Sequence, residues 1–337
     1  MLVETNPRPN CPVCHAEGTP LYKKLKDRLF NTEGEWNMKK CSACKTVWLD
    51  PTPRPEEIYK LYLTYSTHYS SGNEFVAKDR TFLNNVRQAL LSHEYGYPYD
   101  GNPLIRYIAY IHPGWKDTQA ANIFYTPHTI DGLLLDVGCG NGSSMQMMEK
   151  KGWRVTGTDF DVEAVKEAKS KGLNVKLGEL SSIAFPTGSF DAVMMNHVIE
   201  HVPDPLSLLK ECRRILKKGG TLVMITPNAA SRGHSFFKRD WRALETPQHL
   251  QVFSIDSLGE LTRKAGFEDV EAFSSTQGAY YILESSYNLK RHNCAHREEN
   301  NTLLRKLWKH FTWFILGWVH VISPLQDEVA VVRASHR

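Results

Sequence analysis

The chain has 337 residues, 41% hydrophobic and 23% charged, with a formal net charge of +4 at pH 7. That length holds one large domain with an appendage or two modest domains, the composition excludes a disordered or fibrous chain, and so small a charge does not call for nucleic acid. The start, MLVETNPRPN, lacks an apolar core and no uninterrupted apolar run is long enough for a bilayer, so the expectation is a cytoplasmic protein without a signal peptide.

Four of the seven cysteines form two C-x-x-C pairs, Cys11 with Cys14 and Cys41 with Cys44. Each knuckle aims two thiolates at one point, and two knuckles complete a tetrahedral zinc shell with no open position for water. Residues 1–52 are therefore read as a ribbon around a structural Zn2+, which supplies folding energy that so small a module lacks.

A proline-rich joint follows, Asp50 to Pro55, and marks a boundary. Residues 53–128 are expected to be a helical cap that contributes to the substrate region, with helices over Glu56 to Tyr65 and Val76 to Leu91 and a short one in IRYIAYIH. Its tyrosines, Tyr62, Tyr65, Tyr69, Tyr95, Tyr97 and Tyr99, either line a cleft or sit half buried between helices.

From residue 129 the pattern alternates strand and helix. Strands are expected at Gly132 to Asp136, Arg154 to Thr158, Asn174 to Leu177, Phe190 to Met195 and Gly220 to Thr226, with helices at Asp161 to Lys171 and Pro205 to Leu216 between them. Such alternation means a parallel sheet covered on both faces, with a ligand at the carboxyl ends of the strands. The first strand runs into Asp136 and then Gly138, Gly140 and Gly142 before a helix begins at Ser143, a turn that lets backbone approach a ligand at a helix N-terminus. Asp159 ends the second strand about 20 residues after the first glycine, where a carboxylate can take ribose hydroxyls. The glycines run G-x-G-x-G, with no third glycine placed for the close helix–sheet packing of the dinucleotide fingerprint, which argues against a nicotinamide cofactor.

Four segments now carry a resemblance: DVGCGNG at 136–142, GTDFD at 157–161, FPTGSFDAVMMNHVIEHVPDP at 185–205 and LLKECRRILKKGGTLVMITPN at 208–228. Residues 131–228 resemble the core of a class I S-adenosylmethionine-dependent methyltransferase. The resemblance implies a Rossmann-like α/β fold whose mostly parallel seven-stranded sheet has an antiparallel last strand, here Glu328 to Val332. Residues 129–337 would then be the methyltransferase domain, with an insertion near 275–326. It also implies S-adenosyl-L-methionine as cofactor, held by Asp136, Gly138, Cys139, Gly140, Asn141 and Gly142, by Asp159 at the ribose, and by Phe160, Glu179 and Leu180 at the adenine. Asn196 and His197 would lie beside the sulfonium. The family more often has Asp where this chain has Glu179.

Methyl transfer needs alignment and exclusion of water more than it needs obligatory side chains, but a hydroxyl acceptor benefits from a base. Residues 231–253, SRGHSFFKRDWRALETPQHLQVF, resemble the W…P-x-H-L…F pattern of bacterial small-molecule and glycan-associated methyltransferases. On that pattern His249 is the base and Trp241 a pocket wall, with His201 a further catalytic candidate. Otherwise His249 caps the helix that opens at Ser254, and His201 is a packed or surface histidine.

Residues 303–325 are aromatic and apolar with basic flanks, and read as a helix packed on the cap or a second subunit, or as a membrane-surface helix. The expected reaction is methyl transfer to a small-molecule, nucleotide-sugar or glycan acceptor, at oxygen before carbon or nitrogen. An RNA methyltransferase whose ribbon grips nucleic acid, and a non-catalytic module that keeps the cofactor fold, are the alternatives. Intact glycines and Asp159 speak against the latter.

Overall fold

The computed structural model describes residues 3–62, 81–295, 311–312, 314–321 and 325–336. Three antiparallel strands form the ribbon, β1 (Gly18–Leu25), β2 (Trp36–Cys41) and β3 (Val47–Leu49). The central sheet comprises β4 (Leu133–Val137), β5 (Arg154–Asp159), β6 (Val175–Leu177), β7 (Phe190–Asn196) and β8 (Leu216–Pro227). A two-residue strand, β9 (Gln251–Val252), precedes β10 (Val270–Ser275) and β11 (Val329–Ser335).

The large sheet has seven strands in the order β10-β11-β8-β7-β4-β5-β6. Strand β11 runs antiparallel to both its neighbours, whereas β4, β5, β6, β7 and β8 pair in parallel. The β4 and β7 sequences, LLLDV and FDAVMMN, are buried along most of their length, as expected of strands covered on both faces. Helix signals in the sequence have physical counterparts. The Asp161 carboxylate accepts from the amides of Glu163 and Ala164 at the start of Val162–Ser170, and Asp204 caps Pro205–Ile215.

The ribbon does not stand apart from this sheet. Strand β9 pairs antiparallel with β3, so the four-stranded sheet β9-β3-β2-β1 contains a strand contributed by the segment after β8. Cys11, Cys41, Cys44 and Trp48 share one buried cluster with Leu209, Leu222, Phe253 and Leu258. The Ser254 hydroxyl donates to the Cys44 carbonyl at 2.8 Å, and Lys264 Nζ donates to the Val13 carbonyl at 2.7 Å. Both residues belong to the helix Ile255–Lys264 or its cap, so this helix holds the knuckles from behind.

Among the described residues of the 53–128 region stand a 3-10 helix, Pro55–Tyr62, and an α-helix, Thr81–Tyr95, while the expected helix start at Val76 lies outside the described residues. The sequence IRYIAYIH falls in a second 3-10 helix, Pro103–Ile111, followed by an α-helix at Pro113–Ala121. Tyr97 is buried, with its hydroxyl on the Thr126 carbonyl, and Trp153 Nε1 donates to it at 3.2 Å. Tyr65, Tyr69 and residues 303–310 lie outside the described residues. A helix over 314–321 packs on the cap by stacking Phe314 on His112, with centroids 4.8 Å apart, while Phe314, Trp318 and Val321 remain exposed. Within the expected insertion stands a long α-helix, Ala279–His292, that packs on residues 232–244. Among the described residues no helix is long and apolar enough to cross a membrane.

Candidate functional site

The turn after β4 has the geometry its glycines suggest. Gly138 sits at φ +70°, and a Cβ there would stand 2.5 Å from Val198 Cγ2, so a side chain is excluded by both strain and space. Gly140 sits at φ +52° with nothing within 4 Å of where its Cβ would be, which leaves open space above the loop for a ligand to lie against backbone. Beneath the loop Asp136 is buried; burial lifts its carboxyl to about 7, opposed by the Ser144 hydroxyl that donates to it at 2.5 Å. Asn141 Oδ1 accepts from the Ser143 amide and hydroxyl, bracing the helix start, and Cys139 is buried against β5 with its amide on the Thr158 carbonyl.

The Asp159 carboxylate lies next to the loop, taking the Gly140 amide at 2.8 Å and the Asp161 amide at 2.9 Å. Burial raises its pKa and these amides oppose the rise. Beside it the Phe160 ring is half exposed. Glu179 is exposed at the head of a short helix and Leu180 is buried behind it. Asn196 closes β7, and His197 leaves the strand at φ +56°. Backbone glycine, a ribose-height carboxylate and an open aromatic face together fit an adenosyl cofactor.

Tyr62 links this side to a cluster of ionisable groups. Its ring meets Phe160 edge-on at 5.2 Å, and its hydroxyl lies 3.0 Å from His201 Nδ1. His201 Nδ1 is also 3.0 Å from the Gln248 carbonyl, which can only accept, so this nitrogen carries the proton. The same reasoning fixes His249, whose Nδ1 is 2.9 Å from the Ala243 carbonyl. Its Nε2 is therefore the bare nitrogen, and it faces Glu245 Oε2 at 3.6 Å and Glu200 Oε1 at 4.0 Å. The two imidazole rings meet edge-on at 4.7 Å.

Burial decides the charge of His249: desolvation pulls its pKa down to about 4 against the upward pull of Glu245 and Glu200. The imidazole is neutral at neutral pH. Glu200 is also fully buried, yet its pKa is held at about 2, because the cost of desolvation is outweighed by His197 at 3.1 Å and by the neighbouring His201 and His249. For Glu245, burial works upward, but Arg242 at 2.5 Å and His249 keep it well below the usual carboxylate range. His197 is exposed, and the Glu200 carboxylate 3.1 Å from its Nδ1 raises its pKa.

Ser254, not His249, caps the next helix: Ser254 and Ser257 exchange side-chain bonds with each other's amides. His249 is left for the cluster. Trp241 is 1% exposed, stacks on His234 at 4.8 Å and donates its indole N–H to Glu328 at 2.7 Å. It is also one wall of a 190 Å³ cavity that Glu245 and Arg242 share. Glu200 escaped the sequence reading; its signal was its place three residues after His197 and next to His201 in NHVIEH.

At the ribbon, the Sγ atoms of Cys11 and Cys44 and those of Cys14 and Cys41 are each 3.4 Å apart, and Cys14 and Cys44 are 3.6 Å apart. Four sulfurs around one zinc at ~2.3 Å would be about 3.7 Å apart, so the donor set fits that ion. Amides of Val13 and Cys44 point at Cys11 and Cys41 Sγ, as bound thiolates require.

A family model described as a methyltransferase domain matches residues 123–272. A ubiquinone biosynthesis O-methyltransferase of Xanthomonas oryzae pv. oryzae is 40% identical over 102 residues, 28% of this chain and 43% of that protein. Its counterpart in Cereibacter sphaeroides is 31% identical over 158 residues, 43% of this chain and 64% of that one. The chain thus covers less than half the length of the Xanthomonas relative. Solved structures similar to it include a SAM-dependent methyltransferase from Thermotoga maritima, with 19% identity, a TM-score of 0.45, and coverage of 77% of this chain and 98% of that one. Another is phosphoethanolamine N-methyltransferase 2 of Haemonchus contortus in complex with S-adenosyl-L-methionine, with 17% identity, a TM-score of 0.46, and coverage of 90% and 70%.

Proposed function

From residues 123–272, a class I S-adenosylmethionine-dependent methyltransferase domain, we propose that the whole protein transfers a methyl group to a hydroxyl oxygen of a small-molecule, nucleotide-sugar or glycan acceptor, with His249 as base. The observation that carries this reading is the buried imidazole whose Nδ1 proton is committed to Ala243 while Nε2 faces Glu245 and Glu200. A neutral imidazole held in one tautomer can accept a proton at once, and two carboxylates beside it stabilise the cation that results.

When bound, S-adenosyl-L-methionine supplies a methyl carbon already activated on sulfur, so that a carbon–oxygen bond forms as the carbon–sulfur bond breaks. The residues that would hold it are Asp136, Gly138, Cys139, Gly140, Asn141 and Gly142 in the loop and Asp159 at the ribose. Phe160, Glu179 and Leu180 would hold the adenine, and Asn196 and His197 the methionine end. His249 Nε2 takes the acceptor hydroxyl proton, Glu245 and Glu200 balance the imidazolium, and Tyr62 keeps His201 in register with the adenine side. Trp241 forms a wall of the acceptor cavity. The ubiquinone-pathway relatives named above act as O-methyltransferases, which supports oxygen over nitrogen or carbon as the acceptor atom.

The test is transfer of labelled methyl into fractionated cell extract with and without nuclease. Label in nuclease-resistant small molecules or glycans is the expected result. Label abolished by nuclease overturns the acceptor class and makes the ribbon a nucleic-acid grip.

A further inference from the structure

The 190 Å³ cavity beside the base lies between the end of β1, the segment 239–246 and Leu289. Its floor is apolar, formed by the buried Leu25, Leu244 and Leu289. Its wall carries five cations, Lys24, Lys26, Arg28, Arg239 and Arg242, and among the lining residues a single acid, Glu245. Two of the cations are matched: Arg28 pairs with Asp240 at 2.8 Å and Arg242 with Glu245 at 2.5 Å. Among the described residues no carboxylate lies within ion-pair distance of Lys24, Lys26 or Arg239; the Arg239 guanidinium donates only to the Lys23 carbonyl. Three uncompensated cations among the residues that line one small cavity favour a compact polyanion.

We propose that this cavity is an anion-binding subsite, formed jointly by the zinc ribbon and the segment before His249, that takes a phosphate or diphosphate group of the methyl acceptor. The proposal rests on the methyl-transfer reading and narrows its substrate class to phosphorylated acceptors. Glu245 connects the two parts: it lines the cavity, and its Oε2 is 3.6 Å from His249 Nε2. An acceptor anchored by its phosphate at Lys24, Lys26 and Arg239 would extend toward the base on the side where Glu245 stands between cavity and imidazole. The ribbon then has a task of its own, because it supplies Lys24, Lys26 and Arg28 to the rim. A single carboxylate would leave two of the three cations unmatched. Nucleic acid would call for cations strung along a surface, whereas these are gathered in one cavity.

The experiment is calorimetric titration of the full-length, zinc-loaded protein with inorganic pyrophosphate, inorganic phosphate, acetate and a single-stranded oligoribonucleotide, with S-adenosyl-L-methionine titrated separately. The variant is the double substitution Lys24→Glu with Lys26→Glu, both on exposed side chains. Pyrophosphate or phosphate should bind, acetate should not, and the double variant should weaken binding by about tenfold or more while cofactor affinity stays unchanged. Preference for pyrophosphate over phosphate assigns a diphosphate; equal affinity assigns a monoester. Absence of binding by both pyrophosphate and phosphate, or binding the variant leaves intact, overturns the subsite, as does oligoribonucleotide binding that pyrophosphate does not displace. Loss of cofactor binding by the wild-type protein would instead defeat the methyl-transfer reading, so the two failures are told apart in one set of titrations.

Discussion

His249 donates its Nδ1 proton to the Ala243 carbonyl at 2.9 Å, and this one bond decides which nitrogen is left to work. The remaining nitrogen faces two buried carboxylates, Glu245 and Glu200. His249→Ala and His249→Gln should both lower kcat by about 10²- to 10⁴-fold on a hydroxyl acceptor, with cofactor affinity nearly intact. Glu245→Gln should give a smaller loss in kcat, because the base survives but its cation is less well balanced. Steady-state rates and calorimetry on the three variants check this; undiminished turnover in His249→Gln removes the base.

The same burial has a consequence for stability. The folded imidazole protonates only near pH 4, against an ordinary value of 6.5 in the unfolded chain. Between those values the unfolded state binds more protons, so stability contributed by His249 is complete above pH 6.5 and is lost as pH falls toward 4. From pH 7 to pH 5 the loss from this group alone amounts to about 2 kcal/mol. Glu200, held near 2, adds its own loss only below its ordinary 4.5. Thermal melts at pH 7 and pH 5 should therefore show a larger drop in Tm for the wild type than for His249→Gln. Equal drops would mean that the imidazole is already charged in the fold.

Asp159, proposed above to take the ribose hydroxyls, accepts the amides of Gly140 and Asp161. Asp159→Asn keeps one acceptor oxygen for the loop and removes the charge. Cofactor affinity should fall by about 1.5 to 3 kcal/mol, the worth of a charge-assisted hydrogen bond, while the Tm moves little. Isothermal titration with S-adenosyl-L-methionine reads the first and a melt the second. Unchanged affinity would displace the cofactor from the end of β5.

Much of this was legible beforehand, for identifiable reasons. Buried parallel strands such as Leu133–Val137 and Phe190–Asn196 announce themselves as apolar runs, and the cysteine knuckles announce a tetrahedral donor set. Helix caps at Asp161 and Ser254 are local signals, and both residues cap in the fold. What stayed hidden is non-local. Gln251–Val252 pairs with Val47–Leu49 across some 200 residues, and nothing in a two-residue strand tells which edge it joins. The helix Ala279–His292 was missed because its serines, tyrosines and asparagine form helix only weakly and its stability comes from packing on residues 232–244. Glu200 reads locally as a surface acid before a proline turn, and only the fold buries it among three histidines.

That non-local strand pairing ties the zinc to the chemistry. β9 begins two residues after His249 and joins the ribbon sheet, while Cys11, Cys41 and Cys44 lie in the same buried cluster as Phe253 and Ile255. Stripping the metal leaves four thiols within 4.8 Å of one another with nothing to hold them, so β3 and its partner should loosen together. One zinc per chain is expected by elemental analysis. Removing it with a strong chelator should lower the Tm, cut kcat by about tenfold or more through the displaced base, and weaken cofactor affinity less, since the loop after β4 belongs to the other sheet. Added zinc should restore both. Full kcat in protein shown to be zinc-free would mean that the strand shared between ribbon and catalytic segment holds without the metal, and that the ribbon's contribution lies in Lys24 and Lys26 rather than in positioning His249.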